Sequence, residues 1–327
     1  MNDQAEAVRA AADVRGGILA FAGMGSSYDA CYPAVTALAA HGIPALMLDA
    51  AELLHFRIRM LGEGDTLVLV SQSGESVEVV RVAEALRAAP SRPRVVAVTN
   101  GTQNPLASLA DIALDTRAGA ETGPSTMTFA ASLVVLAAFA VSRVGPTRSV
   151  GESIAAATEA AADSVQRLVD DGALPDALLA WHGDCRTTVI LGRGSARAAA
   201  EMGALILKEV IGMPVESLQT AQFRHGPLEL AGPELAAIVL ATEEPTRDLD
   251  LGLAAELRAL GSAVAVVTAG GAASAVDGLR VDIGPLDPLV ASAASMVPMQ
   301  LLSWRLAGER GRAPGSYVHA SKVTTRE

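Results

Sequence analysis

One short segment, Phe21-Ala22-Gly23-Met24-Gly25-Ser26, occurs again as Ile190-Leu191-Gly192-Arg193-Gly194-Ser195, with both glycines and the serine displaced by 169 residues. Two apolar runs repeat at the same displacement, 66–70 on 235–239 and 95–99 on 264–268. Self-similarity at a fixed offset indicates a duplicated architecture. The chain of 327 residues is therefore predicted to consist of two related halves.

The repeated runs predict the fold class. They are short, rich in β-branched residues and separated by helix-length segments of Ala, Leu, Glu and Arg, which is typical of buried parallel strands joined by crossover helices. We expect an α/β protein made of two tandem three-layer α/β/α sandwiches with parallel sheets. The predicted domains are 1–150 and 151–327, with the C-terminal tail in the second and a helix at 155–168 between the halves.

Composition excludes several classes of protein. Half of the residues are hydrophobic and 19% are charged, a balance that supplies a large core. The longest apolar stretch, 129–141, is too short to span a bilayer and is predicted to be a buried helix. A net charge of -11 opposes nucleic-acid binding. No signal peptide is visible, and Cys31 and Cys185 supply neither a disulfide framework nor a zinc site. We expect a cytoplasmic protein without metal or cofactor.

A polar turn in the first half suits a phosphate. The segment 71–76 follows an apolar run and precedes a helical pattern at 77–88, so it directs backbone N–H groups, a helix N-terminus and the hydroxyls of Ser71, Ser73 and Ser76 to one point. Ser26 and Ser27 end the first predicted strand in the same way. The alternative is that these serines serve as helix N-caps. Two such turns in one half favour the phosphate.

The second half differs at the equivalent turn. It reads Leu240-Ala241-Thr242-Glu243-Glu244-Pro245, where two carboxylates would repel a phosphate. The two halves are therefore predicted to have different roles. A further polar loop in the first half, 119–126, is expected to close over the same ligand.

The second half supplies candidates for proton transfer. Glu209 ends the apolar stripe of a predicted helix, and His225 precedes a Gly-Pro turn. A carboxylate and an imidazole near a sugar phosphate are what proton transfer between neighbouring carbons needs. The spacing alone leaves open that Glu209 pairs with a basic residue and that His225 caps the following helix. Lys322 is also ambiguous, because it lies in a C-terminal tail.

Together these motifs resemble the SIS (sugar isomerase) family, and their tandem arrangement is similar to the isomerase half of glutamine-dependent fructose-6-phosphate aminotransferases. The resemblance implies that the serine-rich turns hold a sugar phosphate, that Glu209 moves protons between C1 and C2, and that His225 assists ring opening. It further implies a lysine near the sugar carbonyl, mapped onto Lys322, and a homodimer with shared active sites. The implied phosphate-binding residues are Ser26, Ser27, Ser71, Gln72, Ser73 and Ser76, and the implied further substrate-binding residues are Glu121 and Ser125.

Departures from the aminotransferase pattern favour another reaction. Met1-Asn2 supplies no N-terminal cysteine nucleophile, and Ile206 and Gln222 stand where that family has a lysine and a glutamate. The resemblance then implies a deglycase or deaminase that acts on an amino-sugar or fructosamine 6-phosphate. An aldose-ketose sugar-phosphate isomerase and a non-catalytic sugar-phosphate sensor are the alternatives. The expected partner is a phosphorylated sugar or amino sugar, with no nucleic acid and no membrane.

Overall fold

The computed structural model describes residues 4–14, 16–145, 150–270, 278–324 and 326, so that Met1-Asn2 lies outside the described residues. Contacts divide the chain into two units, one of which is Met1–Ala156 with Val318–Glu327 and the other Ala157–Tyr317. The division falls close to the boundary expected at residue 150. The tail differs, because its contacts group it with the first unit, whereas the sequence assigns it to the second domain.

The first unit contains a five-stranded parallel sheet in the order β2-β1-β3-β4-β5. The strands are β1 (Leu19–Gly23), β2 (Ala45–Asp49), β3 (Thr66–Val70), β4 (Arg94–Thr99) and β5 (Ile112–Asp115). The helices are α1 (Ala5–Ala12), α2 (Ser26–Asp29), α3 (Tyr32–Ala40), α4 (Ala50–Glu52), α5 (Val77–Ala88), α6 (Pro105–Leu109) and α7 (Met127–Val144). A π-helical turn, Leu53–Arg57, and a 3-10 turn, Ile58–Met60, follow α4.

The second unit repeats this topology in the order β7-β6-β8-β9-β10, so the predicted α/β fold and its duplication are confirmed. Its strands are β6 (Thr187–Gly192), β7 (Val215–Gln219), β8 (Leu235–Ala241), β9 (Ala263–Thr268) and β10 (Leu279–Asp282). Its helices are α9 (Leu174–His182), α10 (Arg197–Ile211), α11 (Thr220–Phe223), α12 (Arg247–Ala259), α13 (Ser292–Ser295) and α14 (Val297–Glu309). The bridging helix predicted at 155–168 is α8 (Val150–Asp170), which crosses the division between the units.

Helices cover both faces of the first sheet. The strand residues Ala20, Leu67 and Leu69 form one buried cluster with Val79 of α5. On the other face Phe21 meets Phe139 of α7 edge to face, with ring centroids 5.6 Å apart. Successive side chains of a strand point to opposite faces. The central strands β1 and β3 are buried along their whole length, as the continuous apolar runs predict.

Helix α7 contains the apolar stretch 129–141. By length and composition its 18 residues would be able to cross a membrane, and it is the one such helix among the described residues. It packs against α1 and α3, and both Phe129 and Phe139 are at most 2% exposed. The buried core helix predicted for 129–141 is therefore what the structure contains.

Helices also pack on opposite faces of the second sheet. An ideal Cβ at Gly203 of α10 would lie 3.2 Å from Ile190 Cδ1, so Ile190 points toward α10. Val189 and Leu191 instead join Leu253 of α12 in a buried cluster. Because side chains alternate along β6, α10 and α12 lie on different faces.

The final glycine of β1 and that of β6 permit a close backbone approach. An ideal Cβ at Gly23 would lie 2.9 Å from Val70 O and 3.0 Å from Tyr28 N, and one at Gly192 would lie 3.0 Å from Ala196 O. These neighbours are backbone atoms, which cannot rotate aside. Any side chain at either position would therefore displace the start of the following helix.

We expect the Gly192→Ala substitution to lower the free energy of unfolding by about 1–3 kcal/mol, because the backbone around Ala196 must shift. Gly252 lies inside α12, and a Cβ there would have no neighbour within 4 Å. The Gly252→Ala control is expected to raise the free energy of unfolding by about 0.5–1 kcal/mol. Urea denaturation of both variants measures the difference, and equal stability of the two would contradict this account of Gly192.

Candidate functional site

The predicted phosphate turns meet at the edge of the first sheet. In the order β2-β1-β3, the chain leaves β1 for one side and enters β3 on the other, which makes the β1–β3 boundary a topological switch point. The contact between Gly23 and Val70 joins the carboxyl ends of these two strands. The structure thus brings 25–27 and 71–76 to one edge.

Hydrogen bonds organise the turn 71–76. Ser71 is 1% exposed, and its Oγ lies 3.1 Å from Ser76 Oγ and accepts from the N–H of Gly74 at 3.1 Å. Ser73 Oγ accepts from the N–H of Glu75 at 3.1 Å. Ser71 and Ser76 are therefore the pair of predicted ligands that the structure places in direct contact.

Ser76 does not fit the alternative that the serines of this turn cap helices. This residue occupies the N-cap position of α5, yet its side chain makes no capping hydrogen bond. Its hydroxyl contacts Ser71 instead, while the N–H of Val77 donates to Thr324 O at 3.2 Å. The hydroxyl of Ser76 is thus directed into the turn and not along the helix, as a phosphate ligand requires.

A second loop, residues 100–106, contacts the turn 71–76, and these contacts are called the brace below. Gly74 has a φ of +66°, and any Cβ there would collide with the side chain of Asn104. Asn104 caps α6 by accepting from the N–H of Ala107 at 2.9 Å. The N–H of Asn100 donates to Gln72 O, and that of Leu106 to Gly74 O, each at 3.0 Å. The contact of Asn104 with the turn is not predicted by any of the motifs above, although an Asn before Pro105 is a helix-start signal.

Ser26 and Ser27 begin α2 directly after β1 and are both half-buried. The next residue, Tyr28, is partly buried beside Tyr32, and this burial, with the neighbouring Tyr32, Cys31, Asp29 and Asp49, raises the pKa of Tyr28 to about 12. The phenol therefore stays protonated at neutral pH and remains a hydrogen-bond donor next to the serines.

The tail lysine is held by the loop 119–126. Lys322 Nζ donates to Glu121 Oε2 at 2.7 Å, to Gly123 O at 2.9 Å and to Ser125 Oγ at 3.4 Å. The structure thus brings together Lys322, Glu121 and Ser125, all within the first unit. Its amino group is therefore engaged by the loop and is an internal hydrogen-bond donor in this structure.

The carboxylate of Glu121 accepts hydrogen bonds from other residues of the first unit. Besides Lys322 it accepts hydrogen bonds from the N–H groups of Thr126 and Thr128 at the start of α7 and from the Thr128 hydroxyl. Burial alone would raise its pKa, but the bonds from Lys322, Thr128 and Thr126 together hold the pKa of Glu121 below its usual value. The side chain is 3% exposed, so its carboxylate joins the loop, the tail and α7.

The two candidates for proton transfer both lie in the second unit. At 1.5 Å per residue, about 18 Å of α10 separates Glu209 from the helix start at Arg197. His225 is exposed and follows α11, and Phe223 just before it is buried in the cluster on the α12 face. Glu209 and His225 therefore lie on segments that pack against opposite faces of the second sheet.

The alternative role of His225 as a helix cap also differs from the structure. The short helix that follows, Pro227–Leu230, has Gly226 at its N-cap and no side-chain cap hydrogen bond. Gly226 has a φ of +118°, a conformation that favours glycine. His225 is thus presented to solvent at a sharp turn.

Comparison with known proteins gives the family. A family model described as SIS domain matches residues 18–142 and 184–306. The glutamine–fructose-6-phosphate aminotransferase (isomerizing) of Pyrobaculum aerophilum is 29% identical over 269 residues, which are 80% of this chain and 44% of that protein. The chain spans about half the length of the curated relatives it matches.

Solved structures share the fold. The C-terminal domain of glucosamine-fructose-6-phosphate aminotransferase from Francisella tularensis superposes with a TM-score of 0.81 at 20% identity, covering 96% of each chain. The glucosamine-6-phosphate deaminase of Thermotoga maritima gives a TM-score of 0.72 at 20% identity, covering 98% of this chain and 97% of that one. One matched segment of the family model falls in each unit, and the two include the glycine-bearing strand ends of both sheets. The chain therefore belongs to the SIS domain family and carries two SIS domains.

Proposed function

We propose that the protein is a cytoplasmic enzyme that acts on an amino-sugar or fructosamine 6-phosphate, moves a proton between C1 and C2, and releases the amine. The observation that carries the proposal is the Ser71–Ser76 hydroxyl pair, which lies at the switch point of the first sheet and caps no helix. Relatives named for fructose 6-phosphate and glucosamine 6-phosphate support a six-carbon sugar phosphate as substrate.

The first unit binds the phosphate in this proposal. Its ligands are the hydroxyls and amide at the switch point: Ser26, Ser27, Ser71, Gln72, Ser73 and Ser76. None of these side chains is a cation, so binding relies on directed hydrogen bonds and on the N-terminus of α5. The brace from Asn104 keeps the turn in place before the ligand arrives, which lowers the entropy cost of binding.

The second unit supplies the proton transfer. In a ketosamine the C2 carbonyl makes the hydrogens on C1 acidic, so Glu209 removes one of them and returns a proton to C2, while His225 exchanges a proton with O2. The double bond then lies between C1 and nitrogen. Water adds to C1 and the amine leaves with a proton, which yields an aldose 6-phosphate. In an amino sugar the roles of C1 and C2 are exchanged: Glu209 removes the proton from C2 and returns it to C1, water adds to the C2 imine, and ammonia leaves a ketose 6-phosphate.

A second candidate is an aldose-ketose isomerase, which needs Glu209 but no group to handle an amine. The three hydrogen bonds of Lys322 favour it, because they commit the amino group of this residue to partners within the first unit. The deciding experiment incubates the protein with glucosamine 6-phosphate, a fructosamine 6-phosphate and fructose 6-phosphate. Release of ammonia or amine supports the first proposal, whereas sugar interconversion without release supports the isomerase.

We expect Ser76→Ala to weaken binding of the sugar 6-phosphate between about 10- and 100-fold, because a hydrogen bond to a charged oxygen is lost. Since this hydroxyl caps no helix, stability is expected to stay within about 0.5 kcal/mol of the wild type. Titration calorimetry and urea denaturation measure the two effects. Ser91→Ala, at an exposed serine on the loop before β4, is the control and is expected to bind normally.

We expect Glu209→Gln to leave binding of the sugar phosphate intact while reducing turnover by about 100- to 10,000-fold, because the base is lost and the shape is kept. Glu216→Gln, at an exposed carboxylate on β7, is the matched control and is expected to remain active. Steady-state assays and calorimetry give both quantities. Unchanged turnover in Glu209→Gln would refute the assignment of the base.

The placement of Glu209 and His225 against opposite faces of the second sheet supports a homodimer in which each site takes these residues from different copies. Co-expressing Glu209→Gln with His225→Ala is then expected to restore about one quarter of the wild-type activity, because half of the dimers are mixed and each mixed dimer has one intact site. If both residues act within one chain, the mixture stays as inactive as its components. Tandem affinity tags isolate the mixed dimer for the assay.

A further inference from the structure

The second unit retains the backbone of the phosphate site without its serine-rich turn. Gly194 stands at the position of Gly25, and each has a φ of +51°. Gly192 repeats the close approach of Gly23. β6 pairs with β8 as β1 pairs with β3. The same switch point is therefore built a second time.

A carboxylate from the same unit occupies this second switch point. Glu243 follows β8, and its Oε1 accepts from the N–H of Ala196 at 3.2 Å, across 47 residues of sequence. Its Oε2 would lie 3.2 Å from a Cβ on Gly194. By the displacement of 169 residues, Glu243 corresponds to Gly74 at the centre of the first turn. The loop that lacks the serines of the first turn thus supplies an anion of its own.

Backbone N–H groups hold the Glu243 carboxylate beside a buried ion pair, so hydrogen bonds and not a free cation favour the anion here. Asp250 is fully buried, and its Oδ1 accepts from Arg193 Nε at 2.7 Å while its Oδ2 accepts from the Thr246 hydroxyl at 3.0 Å. Burial raises the pKa of Glu243, as does the nearby Asp250, while hydrogen bonds from the N–H groups of Ala196 and Ser195 oppose this. A second, external anion would meet both carboxylates.

We infer that Glu243 is a built-in substitute for phosphate, and that removing its carboxylate opens a second site for a phosphate-type anion in the second unit. The inference rests on the proposed function only in taking the first turn as a phosphate site. It follows that each chain holds one sugar phosphate at these turns, although its fold provides the backbone for two. An N-cap side chain belongs to a residue next to the helix start. The carboxylate of Glu243 instead comes from a loop 47 residues away in sequence, so it resembles a bound anion more than a cap.

The test uses inorganic phosphate as the probe and Ser76→Ala as the background, which weakens the first site. In this background Glu243→Ala is expected to gain one saturable phosphate site per chain by equilibrium dialysis. Its melting temperature is expected to rise by about 3–6 °C on going from chloride to saturating phosphate at constant ionic strength. Glu244→Ala, which removes an exposed neighbouring charge, is the matched control and is expected to gain neither.

A Glu243→Ala protein that binds no more phosphate than Glu244→Ala would overturn the inference and leave Glu243 as a structural link between β8 and α10. If Glu243→Ala is unstable in chloride, rescue of its folding by phosphate supports the inference, and failure of rescue opposes it. Glu243→Ser, which restores a hydroxyl of the kind found in the first turn, is the second variant and is expected to bind phosphate as well. The proposed function is tested separately, by titrating sugar phosphate into the protein whose first turn, with Ser71 and Ser76, is unaltered.

Discussion

The close approach of the strand ends at Gly23 and Val70 is the constraint on which the candidate site depends. It brings two polar loops to one point, so that hydroxyls from both can meet the same anion without a cationic side chain. This matters in a chain of net charge -11. Screening limits the repulsion by distant charges to a Debye length of about 8 Å, so short, directed hydrogen bonds decide whether a phosphate binds.

The strands were predictable because their signal is local. The apolar runs at 66–70 and 235–239 became β3 and the greater part of β8, since a buried parallel strand needs a continuous apolar sequence. The contact of the tail with the first unit was not predictable because its partner is distant: Lys322 bonds to Glu121 across 201 residues. Nothing in the tail's own sequence encodes that contact.

The candidate site was predictable only in part, for the same reason. Serines after a strand are visible in the sequence, and Ser71 and Ser76 do meet. Glu121 was expected to bind substrate, yet its oxygens accept hydrogen bonds from Thr126, Thr128 and Lys322. A motif identifies a residue type at a position, but the hydrogen bonds already satisfied within the fold decide how much of its capacity remains for a ligand. The brace at Asn104 shows the converse, since a residue outside every motif contacts the centre of the turn.

Duplication followed by divergence gives the two units different energetics at equivalent positions. In the second unit the anion is covalently part of the chain, so its association costs no translational entropy and its stabilising contacts are present in every folded molecule. The accompanying cost is electrostatic, because burial raises the pKa of both Glu243 and Asp250 although Arg193 pairs with the latter. In the first unit, on the proposed function, the anion comes from solution and its contribution grows as RT ln(1 + [L]/Kd). Substrate would then stabilise the unit that binds its phosphate, while Glu243 occupies the equivalent position in the second unit. The same backbone geometry would thus serve as a binding site in one unit and as a fixed element of structure in the other.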